Sequence, residues 1–444
     1  MKKVKLISIL LAMLLMCTLI FSGCQNNDKV DDTKSGGQST TSKISDDSDS
    51  SNSKKVTLKF EQFSGSGENE EFLKQMIAEY KKLYPNVDVK LQTIGFNDYF
   101  TQMMAKISAG QAPDVFELNF ENFVTYAKKD VLMPLDDIIK EADYDVSIYN
   151  QKALNAFVID NKQYGLPNSF SNVLLFYNKD LFDKAEISYP TNEWTWDDTI
   201  EAAEKIRSLD KNIFGIFRPV TFNEFYKVVK QNDGALFNDD MTQFTVNRPE
   251  NIETLQFMVD ALLKSNVMPT EEQLAGMGDW DLFKAGRLGM LTTGVWAIPD
   301  FTRDCDFDWD IAIEPGNKQK ATHFFSNGYV ISKDTKNAET AFEFASFLTS
   351  SKEAVDIRLD AGWELPPVSD AEVIEKYKTM TPPENRQAVF DSIDYLVTPP
   401  VIEQYKEMED LFNKYLTEAS TGKTSVENAL DKCQKELEEK ITLK

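Results

Sequence analysis

Histidine occurs once in the 444 residues, at His323. A single imidazole rules out a histidine-based metal cluster and an HExxH motif. Cysteine is scarce: Cys17 and Cys24 lie near the N-terminus, while Cys305 and Cys433 stand far apart without CxxC spacing. The last two read as unpaired small hydrophobes. Basic charge is in deficit, with 48 Lys and Arg against 72 Asp and Glu and a formal net charge of −24. Phosphate backbones need stripes of Lys and Arg, so a nucleic-acid partner is excluded and an anionic small ligand is disfavoured. Beyond the first residues no apolar run is long enough to cross a bilayer. The Gly65-x-Gly67 pair lacks a following Lys-Ser/Thr, and Glu68, Glu70 and Glu71 after it repel phosphate, which argues against a nucleotide loop.

What is present is globular: 42% hydrophobic, 27% charged and 11% aromatic residues, in enough chain for two to three domains. Lys2, Lys3 and Lys5 followed by the apolar run Leu6 to Phe21 predict a secretory signal over residues 1–23. Its removal takes away three lysines and no acid, leaving a still more acidic protein. Phe21-Ser22-Gly23-Cys24 resembles the lipobox of bacterial lipoproteins, with Phe21 where Leu is usual, and marks Cys24 for lipidation. Residues 24–54 are almost devoid of apolar side chains and read as a disordered tether. Together these predict a palmitoyl-type lipid anchor at the extracellular face of the cell membrane, with the body tethered and not spanning.

The body begins near Lys55. Val56 to Phe63 alternates as a strand, and a helix from Glu68 carries Phe72, Met76, Tyr80 and Leu83 on one stripe. A strand at Val87–Leu91, a helix at Tyr99–Ser108 and a strand at Pro113–Leu118 complete a parallel strand–helix pattern. In such sheets ligands sit beyond the carboxyl ends of strands, which singles out the loops Ser64–Gly67 and Leu118–Asn122. At Tyr164–Phe182, a turn (Tyr164–Pro167) and a polar run (Asn168–Asn172) lead into the buried strand Val173–Tyr177. That is either a core strand after a loop or a crossing between two lobes. Thr195 caps a helix over Thr199–Leu209. Phe222–Val229 and Pro249–Leu263 are amphipathic helices, the first with an aromatic core stripe. Strands are expected at Asn212–Phe217, Leu288–Leu291, Phe307–Ile313 and Tyr329–Ser332. Gly294 bends the chain before Trp296, whose flat face either packs or faces a pocket. Asn337–Thr349 is helical, Gly362–Pro367 is a stiff link, and the rest is largely helical and charged.

Five motifs in order carry a resemblance: Gly110-Gln111-Ala112-Pro113-Asp114-Val115-Phe116; Tyr164-Gly165-Leu166-Pro167 through Tyr177-Asn178-Lys179-Asp180-Leu181; Thr195-Trp196-Asp197-Asp198; Phe283-Lys284-Ala285-Gly286 through Gly294-Val295-Trp296; and Asn327-Gly328-Tyr329-Val330-Ile331-Ser332. Behind a lipobox, the chain resembles the extracellular solute-binding proteins of bacterial ABC importers, of the maltose- and oligosaccharide-binding type. The resemblance implies a two-lobed α/β fold of the periplasmic-binding-protein type II class. Each lobe would be a mainly parallel sheet flanked by helices, with a hinge between them. It places residues 55–170 and 314–362 in the first lobe and 171–313 and 363–444 in the second, with crossings near Ser169–Val173, Trp309–Pro315 and Trp363–Pro367. It further implies a monomer without cofactor, metal or catalytic residue, delivering a sugar or oligosaccharide to permease subunits. By the same resemblance Trp296 stacks on sugar rings. Ser64, Gly65, Asn119, Glu121, Asn168, Ser171, Asn223, Asn327 and Trp363 are the other ligand contacts, with Phe222 beside Asn223 a weaker one. Ser171 stands where the maltose binder has a carboxylate, which bears on the identity of the sugar.

Other readings stay open from the residues. The same fold binding a polyamine would use Glu117 and Glu121; a peptide or a phosphorylated polyol is a further possibility. A secreted glycoside hydrolase would need two carboxylates of divergent acidity in a cleft, and no acid sits in a recognisable catalytic motif.

Overall fold

The computed structural model describes residues 55–65 and 67–443. The expected leader 1–23, the lipidation site Cys24, the tether 24–54 and Ser66 lie outside the described residues. Strands β1 (Val56–Gln62), β2 (Val87–Thr93) and β3 (Val115–Asn119) alternate with the helices Asn69–Leu83 and Phe96–Ser108. They pair in parallel in the order β2-β1-β3. A small hairpin, β4 (Val158–Ile159) and β5 (Lys162–Gln163), precedes β6 (Gly165–Asn178). Then follow β7 (Phe214–Phe217), β8 (Leu288–Gly294), β9 (Trp309–Ala312), β10 (Thr322–Ile331) and β11 (Leu396–Val397). Nine of these form one sheet along the path β2-β1-β3-β10-β6-β8-β7, with β9 on β6 and β11 on β10. The outer pairs are parallel, whereas β6 and β10 run antiparallel to each other and to β8 and β3 respectively.

β6 joins the two halves of the sheet. Through Gly165–Asn172 it pairs with β10, and through Val173–Asn178 with β8 and β9. The sequence pattern predicts a turn, a polar run of free backbone and then a strand; the structure has one buried strand of 14 residues. The polar side chains do not break it: the β10 ladder pairs the main chain along one edge, and the Asn168 and Asn172 amides each find a buried partner. Asn168 Nδ2 donates to Glu117 Oε1 at 2.8 Å, and Asn172 Nδ2 donates to the Val389 carbonyl at 2.7 Å and to Ser392 Oγ at 2.8 Å. The strand expected at Phe307–Ile313 is present as β9. Trp309–Ala312 pairs with the far half of β6, and the chain returns through the middle along β10. Asn327, expected in a loop, lies inside β10. The link at Gly362–Pro367 is irregular, with Leu365 bridged to Phe170.

The helix Asn69–Leu83 buries Leu73, Met76 and Tyr80, while Leu83 is 61% exposed. The stripe is therefore rotated from the predicted one, and Phe72 is turned to another purpose described below. The final helices Tyr405–Ser420 and Val426–Lys440 share one core with Phe222–Gln231 and Pro249–Leu263. Cys433 is buried in that core, and neither it nor Cys305 is in a disulfide.

Buried charge ties the helix Phe222–Gln231 to the segment between β9 and β10. Lys227 Nζ lies 2.6 Å from Glu314 Oε2 and 2.9 Å from Glu224 Oε1, with Arg218 3.6 Å from the same Glu224 oxygen. Gln231 Nε2 donates to Glu314 and to the Ala321 carbonyl, and its Oε1 accepts from the Trp196 indole. Removing one partner of a buried ion pair leaves the other uncompensated, which costs about 3–5 kcal/mol. Lys227→Met is expected to lower the unfolding free energy by that amount, seen as a lower urea midpoint at unchanged slope; a change below about 0.5 kcal/mol would contradict the role given to this cluster.

Candidate functional site

A cavity of about 880 Å³ opens beyond the carboxyl ends of β1, β3 and β8. Ligands of open parallel sheets bind in this position. Seven aromatic residues line it: Phe63, Phe72, Phe96, Trp280, Trp296, Phe325 and Trp363. Between them stand Ser64, Asn69, Asn119, Asn223 and Asn327, with Glu68, Asp300, Arg303, Asp360, Glu364 and Arg386 also in the wall.

The strand end after β1 is shaped by Glu117. This fully buried side chain accepts from Phe63 N–H and Ser64 N–H, both at 3.0 Å, from Ser64 Oγ at 2.6 Å and from Asn168 Nδ2 at 2.8 Å. With its hydroxyl proton given to Glu117, Ser64 presents lone pairs to the cavity and acts there as an acceptor. Asn119 and Asn327 are register partners across β3 and β10 and reach the cavity side by side. At the end of β8 the Trp296 ring folds back over Gly294. A Cβ on Gly294 would lie 2.0–2.3 Å from that ring, so only glycine admits this pose. Phe325 meets Trp296 edge to face at 4.9 Å and 87°.

Of the predicted contacts, Ser64, Asn119, Asn223, Trp296, Asn327 and Trp363 come together around the cavity. Gly65, Glu121, Asn168 and Ser171 are not in its wall. Gly65 lies behind it, its N–H given to Gln62 Oε1 at 2.6 Å. Asn168 is turned to Glu117. Ser171 is the register partner of Phe325, and it is Phe325 that reaches the cavity. Phe222 is fully buried among Tyr405, Phe412 and Tyr226. Asn223 is held by Glu409 and Tyr405 at 3.4 and 3.3 Å.

Sequence reasoning did not single out Phe72, Phe96, Trp280, Phe325, Glu364 or Arg386 for this site. Phe72, four residues before Met76, is in step with the core stripe and carried no signal that sets it apart. Phe96, at the start of its helix, is 54% exposed at the cavity rim. The two arginines of the wall differ: Arg303 is fully taken by carboxylates, whereas Arg386 has carbonyl partners and leaves Nη1 without one. Arg303 pairs with Glu68, Asp300 and Asp304 at 2.6–2.7 Å, and Arg386 donates to the carbonyls of Met380 and Pro382 at 2.8 and 3.0 Å. The Glu364 carboxyl is pushed up to about 6 by burial, opposed by the Ser169 hydroxyl and by Arg358.

Glu121 faces inward, beneath the site, with Oε1 3.2 Å from His323 Nε2. The pair looks ionic, but burial moves both groups toward neutrality. Burial, with the Glu409 charge in support, raises the Glu121 carboxyl to about 8 against the opposing effect of its own backbone N–H. Burial, with Lys227 in support, lowers His323 well below its ordinary 6.5, against the Asn223 backbone. The contact at neutral pH is thus a hydrogen bond between two uncharged groups. Between pH 6.5 and 8 the folded protein keeps the Glu121 proton that the unfolded chain has released, so stability falls as pH rises. From 4.5 to 6.5 the unfolded histidine gains a proton and the two effects offset. Wild type is expected to lose about 2 kcal/mol more than Glu121→Gln between pH 6.5 and 8 in urea unfolding; parallel pH profiles would contradict this assignment.

Residues 65–355 match the bacterial extracellular solute-binding protein family. The arabinooligosaccharide-binding protein of Bacillus subtilis is 26% identical over 369 residues, covering 80% of this chain and 78% of that protein. An ABC substrate-binding protein of Listeria monocytogenes, solved in complex with cycloalternan, is 44% identical with a TM-score of 0.85, covering 88% of this chain and 100% of that one. The cyclic alpha-maltosyl-1,6-maltose binding protein of Arthrobacter globiformis shares the fold at 20% identity and a TM-score of 0.69, over 86% of this chain and 97% of that one. The fold is the two-lobed α/β arrangement of such proteins, and the chain belongs to the bacterial extracellular solute-binding protein family.

Proposed function

We propose that this protein is the substrate-binding component of an ABC importer for a neutral oligosaccharide. It would act as a monomer at the extracellular face of the cell membrane, tethered through Cys24. The observation that carries the ligand class is the cavity wall itself: among the described residues it has seven aromatics, no lysine, one arginine paired with carboxylates and one held by carbonyls. Aromatic faces stack on the apolar faces of sugar rings, and amides and hydroxyls take the directional bonds. A phosphorylated polyol would want a cluster of free cations; here Arg303 is taken by three carboxylates, and Arg386, held by two carbonyls, keeps a single unpartnered Nη1. The acids assigned to a polyamine are otherwise occupied, Glu117 by four donors and Glu121 by His323. At about 880 Å³ the space lies near the upper end of the roughly 300–1,000 Å³ range for small-molecule sites, which favours an oligosaccharide over a single ring. The 44% identical neighbour in complex with cycloalternan makes cycloalternan the first ligand to try.

In this reading the lobes are residues 55–170 with 314–362 and residues 171–313 with 363–444, and ligand held between them favours the closed state. Binding alone is the function; a transporter subunit needs no turnover. Lipid tethering predicts that Cys24→Ser frees the protein from the membrane fraction.

A thermal-shift series with cycloalternan, arabino-oligosaccharides, maltotriose, polyamines and peptides tests the proposal. A ligand at 100 times its Kd adds about 2.7 kcal/mol of stability. At least one sugar is expected to raise Tm, without release of reducing ends, and Trp296→Ala is expected to abolish that shift while leaving the unliganded Tm within a few degrees. A shift by polyamine or peptide alone would sink the sugar reading, and reducing ends released from the bound sugar would favour a hydrolase.

A further inference from the structure

The one histidine lies under the site, fully buried yet not in the cavity wall. Being two residues apart on β10, His323 and Phe325 fall on the same face of the strand. Their rings stack with centroids 3.4 Å apart and planes 19° from parallel. Phe325 in turn meets Trp296 edge to face. The imidazole is held from both sides: Nδ1 is hydrogen-bonded to the Tyr226 hydroxyl, and Nε2 to Glu121 at 3.2 Å. Tyr226 belongs to the helix Phe222–Gln231 and Glu121 to the helix Phe120–Lys128, so the ring is clamped between helices from distant parts of the chain.

A buried imidazole with both nitrogens occupied has a fixed plane, since rotating it would break two hydrogen bonds in an apolar setting. A fixed plane fixes whatever stacks on it. We propose that His323 is a positioning residue for ligand capture: clamped by Tyr226 and Glu121, it seats Phe325, and Phe325 sets the pose of Trp296 in the cavity. Ser171, the register partner of Phe325, is small enough to leave that aromatic stack its place on the strand pair. The ligand-affinity part of this inference rests on the oligosaccharide reading above, whereas the positioning part does not.

The test uses the full-length protein labelled with 5-fluorotryptophan, whose six tryptophans give six fluorine signals. Trp296→Phe assigns one of them. In His323→Gln and in Tyr226→Phe, which removes a single hydroxyl and guards against a variant that fails to fold, the Trp296 signal is expected to shift or broaden. The signals of Trp194 and Trp363 should stay in place. Affinity for cycloalternan, read by calorimetry, is expected to fall at least tenfold in His323→Gln. A Trp296 signal unmoved in the folded variants overturns the proposal, and so does unchanged affinity where the signal has moved. If wild type does not bind cycloalternan, that choice of ligand is what fails, and the Trp296 signal alone decides the positioning.

Discussion

The antiparallel pairing of β6 with β10 is the constraint on which the rest of the molecule depends. Both strands run through the middle of the nine-stranded sheet, and each joins a half of it to the other. Their backbone groups are satisfied by ladders, so their side chains are free to be polar and buried at once. Asn168, Ser169, Ser171 and Asn172 on β6 and Ser326 and Asn327 on β10 are of that kind. An apolar pair would hold equally well, but it would offer no polar partners to the loops and helices at the strand ends. Ser326 Oγ donates across the pair to the Ser169 carbonyl, and Asn168 and Asn172 reach neighbouring elements from the same strand.

Two buried carboxyl groups near this pair show how environment sets role. Glu117 and Glu121 are four residues apart and almost equally hidden. Four donors converge on Glu117, and they fix the Phe63–Ser64 turn that opens one side of the cavity. Glu121 has one polar neighbour, an imidazole that burial keeps neutral, so desolvation dominates and its carboxyl holds a proton. Neither group is an anion offered to a ligand. The cavity they frame is accordingly a space of aromatic faces, amides and hydroxyls, in which Arg303 is paired with carboxylates and Arg386 is held by carbonyls.

Much of the fold was legible in the sequence, because local rules and global structure agree there. The first three strands and their helices follow hydrophobic period, Thr195 forms a capping box with Asp198, and Pro249 opens its helix. β6 was legible only in its apolar half. Its polar half looks like a loop in sequence, and only pairing with the distant β10 makes it a strand. Asn327 misled for the same reason. At the site, Ser64, Asn119 and Trp296 follow from the rule that ligands meet strand ends. Phe72, Trp280 and Phe325 do not, since no local pattern tells a helix or strand aromatic that faces a cavity from one that faces a core. Only the meeting of separate elements decides it.

The central claim is that the aromatic cavity over the β6–β10 pair holds a neutral oligosaccharide. A crystal structure of the cycloalternan complex addresses it most directly. The account predicts a sugar ring face against Trp296, with hydroxyls in hydrogen-bond reach of Asn119 and Asn327. Sugar bound elsewhere on the protein, or bound in the cavity with Trp296 untouched, would contradict it.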